Sequence, residues 1–306
     1  MRPILGLIGL CLLAACGGPA AAPVPSASPS QPLVRVLVFS RTTGFRHDSI
    51  PAGIAAIRNL GGFSVDATED PGAFQPENLR RYRVVVFLNT TGDVLDPAQQ
   101  QAFEGYVRGG GGYVGVHAAA DTEYDWPFYG ELVGAWFRSH PAVQPARIVV
   151  EDHRHPSTAH LGATWSRADE WYNFRINPRP HVHVLLRLDE STYQGGSMDA
   201  DHPIAWCHPV GAGRAFYTGL GHTVESYAEP AYRAHLLGAI RYAAGLVSGT
   251  CVDESPAAAA TGLSLPGPGE APDFHLYSGN AQSNTPGRVS NDSAIWVTEL
   301  PNGAVE

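Results

Sequence analysis

Short apolar runs alternate with amphipathic stretches through the first half of the chain. The apolar runs at 33–39 and 113–116 predict buried strands, and two further strands are predicted at 63–68 and 83–88. Ile54, Ile57 and Leu60 recur at helical spacing after Pro51, so a helix is predicted there, ended by the glycine pair at 61–62. A second helix is predicted after Asp96, a natural N-cap.

This alternation of strands and helices favours a parallel sheet covered on both faces. We therefore predict an α/β fold of the flavodoxin-like, doubly wound kind, with a mainly parallel sheet. The second half is richer in strands, which are predicted at 147–150, 169–174, 182–188, 204–208 and 214–218. A helix over about 229–244 closes the domain. Some of these strands are expected to extend the main sheet, and others to fold over its functional end.

The first 32 residues have a different pattern. A basic end at Met1-Arg2 and an apolar run over 4–13 precede Leu13-Ala14-Ala15-Cys16-Gly17, which predicts a lipoprotein signal peptide with a lipobox over 1–16. Cys16 would then be acylated, and the protein would be exported and anchored to lipid of the bacterial cell envelope. The alternative is an ordinary secretory signal with a chance cysteine. Residues 17–32, rich in Pro, Ala and Ser, are predicted to be an extended tether.

The predicted globular domain covers residues 33–247. Residues 248–306 begin with an Ala/Pro/Gly/Ser-rich linker and continue into a polar, turn-rich segment too short for its own core. We expect a poorly ordered tail there, or a strand pair that leans on the main domain.

The charge of the chain limits the classes of partner that are expected. The chain has 20 Lys and Arg against 29 Asp and Glu, a formal charge of −9, and no basic run, so nucleic acid is excluded as an expected partner.

Of four cysteines, Cys207 and Cys251 remain in the mature domain. An oxidising compartment would allow them to pair, although nothing in the sequence places them close together. The oligomeric state stays open.

Three histidines each follow a predicted parallel strand: His47, His117 and His222. In an open α/β sheet the carboxyl ends of the strands form the rim where ligands bind. An imidazole there can act as a general acid or base or as a metal ligand. Each can equally be a structural residue that caps a strand.

Several other polar and aromatic residues are candidates beside them. Glu170 adjoins two aromatic side chains, a combination common where sugars stack. Asp121 and Tyr124 follow His117, and the helix after that loop leads to His140, which can fold back over the site. Arg46 offers a cation beside His47. The full set of candidate substrate-binding residues is Arg46, Asp121, Tyr124, His140, Trp171 and Tyr172.

Taken together, the motifs resemble those of the trehalose-utilisation (ThuA-like) family. They are, in order, Gly44-Phe45-Arg46-His47, Gly112-Tyr113-Val114-Gly115-Val116-His117, Asp169-Glu170-Trp171-Tyr172 and Gly219-Leu220-Gly221-His222. The resemblance covers about residues 34–245 and implies a fold similar to the class I glutamine amidotransferases. Those enzymes carry a cysteine in the turn where this chain has His117, so a thiol-based glutaminase mechanism is not expected.

The resemblance implies a role in carbohydrate utilisation. We predict hydrolysis, elimination or isomerisation of a plain or keto-sugar, with His117 as base or ligand, His47 and His222 as its partners, and Glu170 as a second acid or base. A zinc or other divalent metal held by His47, His117 and His222 is a further candidate. The alternative is a non-catalytic module that binds glycans or a partner protein at the cell surface. A third reading is an inactive scaffold for neighbouring domains.

Overall fold

The computed structural model describes residues 33–249 and Cys251. The predicted signal peptide, the tether and nearly all of the predicted tail lie outside the described residues. The eleven strands within them are, in chain order, β1 (Val34–Phe39), β2 (Phe63–Thr68), β3 (Val84–Leu88), β4 (Gly112–Val116), β5 (Phe137–Ser139), β6 (Gln144–Val150), β7 (Thr164–Asp169), β8 (Asn173–Phe174), β9 (His183–Asp189), β10 (His202–Val210) and β11 (Gly213–Thr218). The five α-helices are α1 (Ile50–Arg58), α2 (Pro76–Leu79), α3 (Pro97–Arg108), α4 (Pro127–Val133) and α5 (Pro230–Ala243).

Nine strands form one sheet in the order β2-β1-β3-β4-β11-β10-β9-β6-β7. From β2 to β11 every neighbouring pair is parallel. All five residues of β3 are buried, as expected for a strand covered on both faces. The α/β class and the first four predicted strands are therefore confirmed.

From β11 to β7 every neighbouring pair is antiparallel. The sheet is therefore mixed, and the prediction of a mainly parallel sheet holds for only one half of it. The change begins at β10 and β11, which are joined by Gly211 and Ala212 alone. A two-residue turn can connect only antiparallel strands, because a parallel pair needs a long crossover. The second-half strands extend the main sheet through this hairpin.

The predicted strand over 169–174 is wrong in its boundaries. β7 ends at Asp169, and β8 contains only Asn173 and Phe174, which pair with β5 in a separate two-stranded sheet. β7 alternates exposed and buried positions, and its buried residues are Trp165, Arg167 and Asp169. Because two of these three are charged, the alternation of hydrophobic residues that identifies a strand is hidden in the sequence.

Helices cover both faces of the parallel half-sheet. On β4, Tyr113 packs against Phe103 of α3, whereas a side chain at the neighbouring Gly112 would meet Ala243 of α5. Adjacent residues of a strand point to opposite faces, so α3 and α5 lie on opposite sides of the sheet.

Asp96 caps α3 through the backbone N–H of Gln99, as the sequence predicts. No helix within the described part of the chain is long and apolar enough to cross a membrane.

A disulfide joins Cys207 of β10 to Cys251, which follows α5. The bond connects the segment that follows α5 to a strand near the middle of the sheet. It closes a loop of 44 residues, and in the loop-entropy view such a cross-link stabilises the fold mainly by restricting the unfolded chain. The pairing that the sequence left open is thus present in the structure.

The stability of the fold should depend on pH through His235 of α5. Its ring is fully buried, with Nδ1 2.9 Å from the carbonyl oxygen of Ser157, and burial lowers its pKa to about 3. In the unfolded chain this imidazole titrates near its usual value of about 6.5. Between these pH values the unfolded state takes up a proton that the folded state does not, so the free energy of unfolding falls as pH falls.

We expect His235→Asn, which keeps a donor for Ser157 but does not titrate, to reduce this slope by up to about 1.4 kcal/mol per pH unit between pH 6 and 4. Urea denaturation at several pH values measures it. The exposed His153→Asn serves as the control and should leave the slope unchanged. Equal slopes in His235→Asn and the unmodified protein would contradict the assignment.

Candidate active site

Three imidazoles meet at the carboxyl edge of the parallel half-sheet. His47 lies in the loop after β1, His117 directly follows β4, and His222 lies in the loop after β11. The ring centroids are 5.0 Å apart for His47 and His117, 5.0 Å for His47 and His222, and 5.1 Å for His117 and His222. The structure therefore brings together the three histidines that the sequence places at strand ends.

Glu170 lies among these imidazoles. Its Oε2 is 3.3 Å from His117 Nε2 and 3.1 Å from His222 Nδ1. One ligand atom from each of His47, His117, Glu170 and His222 lies within 4.8 Å of all the others. We call these four residues the histidine–glutamate cluster. They come from three loops and the end of β7, so the fold and not sequence proximity brings them together.

His117 is held in one orientation by backbone contacts. Its backbone φ of +48° lies in the left-handed region that non-glycine residues rarely adopt, and such strain is found most often at functional sites. Its Nδ1 is 2.9 Å from the carbonyl oxygen of Gly219. Because a carbonyl can only accept a hydrogen bond, Nδ1 carries the proton of this contact, and Nε2 is the nitrogen that faces the cluster.

Asp169 fixes the loop that carries His222. The carboxylate is fully buried and accepts hydrogen bonds from the backbone N–H groups of Gly221 and His222, at 2.9 and 3.1 Å. Its charge is balanced by Arg167, whose Nη1 is 3.1 Å from Asp169 Oδ2. Asp169 stands beside Glu170 in the sequence motif, but its role in holding the loop was not predicted from the sequence.

Asn89 links the loops on either side of β3. It follows the last residue of β3 with a φ of +51° and is fully buried. Its Nδ2 donates to Ser49 Oγ at 3.0 Å and to the carbonyl oxygen of Gly221 at 3.3 Å. The signal for this residue in the sequence is the polar run that begins with Asn89 directly after five apolar residues.

The electrostatics of the cluster differ from residue to residue. Burial, followed by repulsion from His117 and His222, lowers the pKa of His47 to about 3, so this imidazole is neutral. Its Nδ1 is buried and has no hydrogen-bond partner. Burial works to raise the pKa of Glu170, but the adjoining imidazoles of His117 and His222 outweigh it and hold that pKa below its usual range. For His222, burial is outweighed by the hydrogen bond to Glu170, and its pKa is raised.

The other predicted substrate-binding residues divide into those near the cluster and one that points away. The side chain of His140 is 42 % exposed, and its Nδ1 is 3.0 Å from Glu170 Oε1. Asp121 accepts a hydrogen bond from the hydroxyl of Tyr124, and burial raises the pKa of Asp121. Arg46, however, forms a two-pronged ion pair with Glu69, with Nη2 2.6 Å from Oε1. The guanidinium of Arg46 is thus directed to Glu69 and not to the cluster.

The two aromatics next to Glu170 are buried. Trp171 is fully buried, and its Nε1 donates to the carbonyl oxygen of Gln144, so it is a core side chain and offers no surface to a substrate. Its predicted role in substrate binding is therefore corrected. Tyr172 is 3 % exposed and packs on His117, with ring centroids 4.1 Å apart. Tyr172 is in a position to support His117 rather than to hold a sugar.

The cluster fits a divalent metal by its donor set. It offers three imidazole nitrogens and one carboxylate oxygen, the ligands that zinc prefers. His117 also has the backbone partner on its second nitrogen that is usual for metal-bound histidines. The buried, unpartnered nitrogen of His47 is a further polar atom that a bound group would satisfy.

Comparisons with known proteins agree with this fold. A family model described as "ThuA: Trehalose utilisation" matches residues 35–243. A ThuA-like protein from Bacteroides uniformis is 28 % identical, with a TM-score of 0.61 over 72 % of this chain and 95 % of that one. A ThuA-like protein from Parabacteroides merdae is 21 % identical, also with a TM-score of 0.61, over 73 % of this chain and 94 % of that one. No curated protein matches the chain.

Proposed function

The chain belongs to the ThuA (trehalose utilisation) family, and on that premise we propose that its histidine–glutamate cluster carries out acid–base chemistry on a sugar. The reaction class is hydrolysis, elimination or isomerisation of a plain or carbonyl-bearing sugar. The observation that carries the proposal is the fixed orientation of His117, whose Nε2 lies 3.3 Å from Glu170 Oε2 and 3.2 Å from His222 Nδ1. A general base must lie within hydrogen-bond reach of the proton that it takes, and a ring held in one orientation favours this.

His117, Glu170 and the partly exposed histidines at the cluster have distinct roles. His117 Nε2 accepts a proton from the sugar, because its Nδ1 is committed to the carbonyl of Gly219. Glu170 orients the rings of His117 and His222 and stabilises positive charge that develops on them. His222 and His140, which are more exposed than His117, lie where a substrate can reach the cluster.

A cysteine-dependent reaction is not part of this proposal. Within the described residues, the two cysteines, Cys207 and Cys251, are joined in a disulfide and have no thiol. The position after β4 is His117. Since the nucleophile of a glutaminase of the amidotransferase type is a thiolate, that chemistry has no group to perform it here.

His117 Nε2 cannot bind a metal and take up a proton at the same time. As the alternative assignment for this nitrogen, we propose that His47, His117, His222 and Glu170 hold a zinc or similar divalent ion. When bound, such an ion would polarise a sugar carbonyl or lower the pKa of a water molecule. Glu170 supplies the negative charge that offsets the cation in a site where burial removes solvent. The imidazole of His47 stays neutral and therefore available as a ligand.

Loss of the base tests the catalytic role. We expect His117→Ala to lower turnover of the active sugar by at least about 100-fold, the typical contribution of general acid–base catalysis. The substrate is to be found by screening trehalose and other disaccharides, together with their keto derivatives, with product detection by NMR. His153→Ala, at an exposed histidine outside the cluster, should retain full turnover. Unchanged turnover in His117→Ala would contradict the assignment of His117 as the base.

The same experiment separates catalysis from binding. A non-catalytic glycan-binding module would bind sugar without converting it, and its affinity would survive the loss of His117. Sugar binding with no product from the unmodified protein would therefore favour that second reading of the site.

Metal content is an independent prediction. Protein purified without a His-tag should contain about one equivalent of a divalent metal per chain by elemental analysis. His117→Ala and Glu170→Gln should each lose most of it, since each removes one ligand of a compact set. His153→Ala should keep it. If the unmodified protein holds no metal after dialysis against zinc, the metal role is wrong and the acid–base role is tested by turnover alone.

We also propose that the protein is exported and attached to the cell envelope through acylated Cys16. The disulfide between Cys207 and Cys251 supports export, because disulfides persist mainly in oxidising compartments. The full chain expressed in a bacterial host should partition into the detergent phase, and Cys16→Ser should move it to the aqueous phase. An unmodified chain that stays aqueous would contradict the anchor.

A further inference from the structure

Phe45 is an exposed aromatic residue beside the cluster. Its side chain is 67 % exposed. The other exposed large hydrophobic residues in the described part of the chain are aliphatic: Leu33, Val143, Ile176, Val224 and Leu246. A single exposed apolar residue is common and needs no explanation by itself. Phe45 differs from the others in its position beside the cluster and in the hydrogen bonds that hold its backbone.

The backbone that carries Phe45 is fastened to the segment after β3. Thr43 donates its N–H to the carbonyl oxygen of Thr91 at 2.8 Å, and Thr91 Oγ1 donates to the carbonyl oxygen of Phe45 at 2.8 Å. A side chain at Gly44 would contact Thr91 Oγ1 at 3.3 Å, so the two segments are closely packed. The loop therefore holds the phenyl ring in solvent at a fixed place, although burying such a ring would be favourable by roughly 1.5–3 kcal/mol.

The phenyl ring borders the cluster through His47. The ring of Phe45 meets the ring of His47 edge to face, with centroids 4.9 Å apart and planes at 88°. His47 is itself 5.0 Å from both His117 and His222. Phe45 therefore places an exposed apolar surface next to the His47 side of the cluster.

We propose that Phe45 is the surface on which a ring of the sugar substrate stacks. This inference rests on the proposed function and names the substrate class more closely: a cyclic sugar (pyranoside) with one face of C–H groups. The negative face of an aromatic ring attracts such weakly positive C–H groups, while the sugar's hydroxyl groups need polar partners. His140 and His222, both partly exposed at the cluster, offer those partners. Phe45 thus takes the role that the sequence suggested for the buried Trp171.

Binding and kinetics of Phe45 variants test this inference. The probes are trehalose, maltose and cellobiose, with sorbitol as an open-chain polyol that has hydroxyl groups but no ring face. We expect Phe45→Ala to weaken pyranoside binding, measured by calorimetry, and to raise KM by about 3- to 10-fold, in line with the worth of one aromatic contact. The value of kcat should change by less than about twofold, because Phe45 does not touch the reacting atoms.

Matched variants exclude a general effect of lost apolar surface. Phe45→Trp should retain pyranoside affinity. Leu246→Ala removes another exposed apolar side chain (49 % exposed) far from the cluster. Leu246 follows α5, whose last turn packs against the start of β4 at the opposite edge of the sheet. This variant should change neither KM nor affinity. Sorbitol binding should be weak in every variant.

The outcomes for this inference and for the proposed function are separate. Equal pyranoside affinity in Phe45→Ala and Leu246→Ala would overturn the stacking role, as would a fall in kcat with no change in KM. Failure of the unmodified protein to bind any of the three disaccharides would overturn it as well. Full turnover in His117→Ala, by contrast, overturns the proposed catalysis while a loss of binding in Phe45→Ala would still support stacking.

Discussion

The hydrogen bond between His117 Nδ1 and the carbonyl oxygen of Gly219 is the contact on which the site depends. It joins the residue after β4 to the residue after β11, two strands that pair in parallel with Val116 opposite Thr218. Because their carboxyl ends lie at the same level of the sheet, a histidine on one strand meets the backbone of the next. The bond then decides which nitrogen of His117 faces Glu170.

This arrangement of the site lowers the stability of the fold. His117 and Asn89 both adopt left-handed backbone conformations, and each such residue costs on the order of 1–3 kcal/mol. Asp169 and Arg167 are charged side chains removed from water, tolerable only because each is paired. These polar groups hold the loops of β1, β3 and β11 in fixed relation. The antiparallel half-sheet contributes through β7, which ends at Asp169 and is followed directly by Glu170.

Much of this could be predicted from the sequence where local pattern and global fold agree. β2 has the predicted bounds, and β1, β3 and β4 lie within one residue of theirs. β3 and β4 are short, fully buried runs, whereas β2 is an edge strand with one buried residue. The placement of three histidines at one edge followed from the rule for parallel strands. The limits of β7 and the burial of Trp171 could not be predicted, since both depend on residues distant in the chain. In a sequence, an aromatic residue next to a carboxylate gives the same pattern whether its side chain faces solvent or the core. The side chain of Trp171 lies in the core because it packs against Tyr193 and donates a hydrogen bond to Gln144.

The central claim is that separate strand ends present one shared set of nitrogen and oxygen ligands. Nitrogen-15 NMR of the imidazole rings during addition of zinc measures this most directly. We expect His117 to be protonated at Nδ1 before zinc is added, and we expect its Nε2 resonance and the Nδ1 resonance of His222 to shift together at the same zinc concentration. A His117 ring protonated at Nε2 alone, or a shift confined to one of the two histidines, would contradict the shared site.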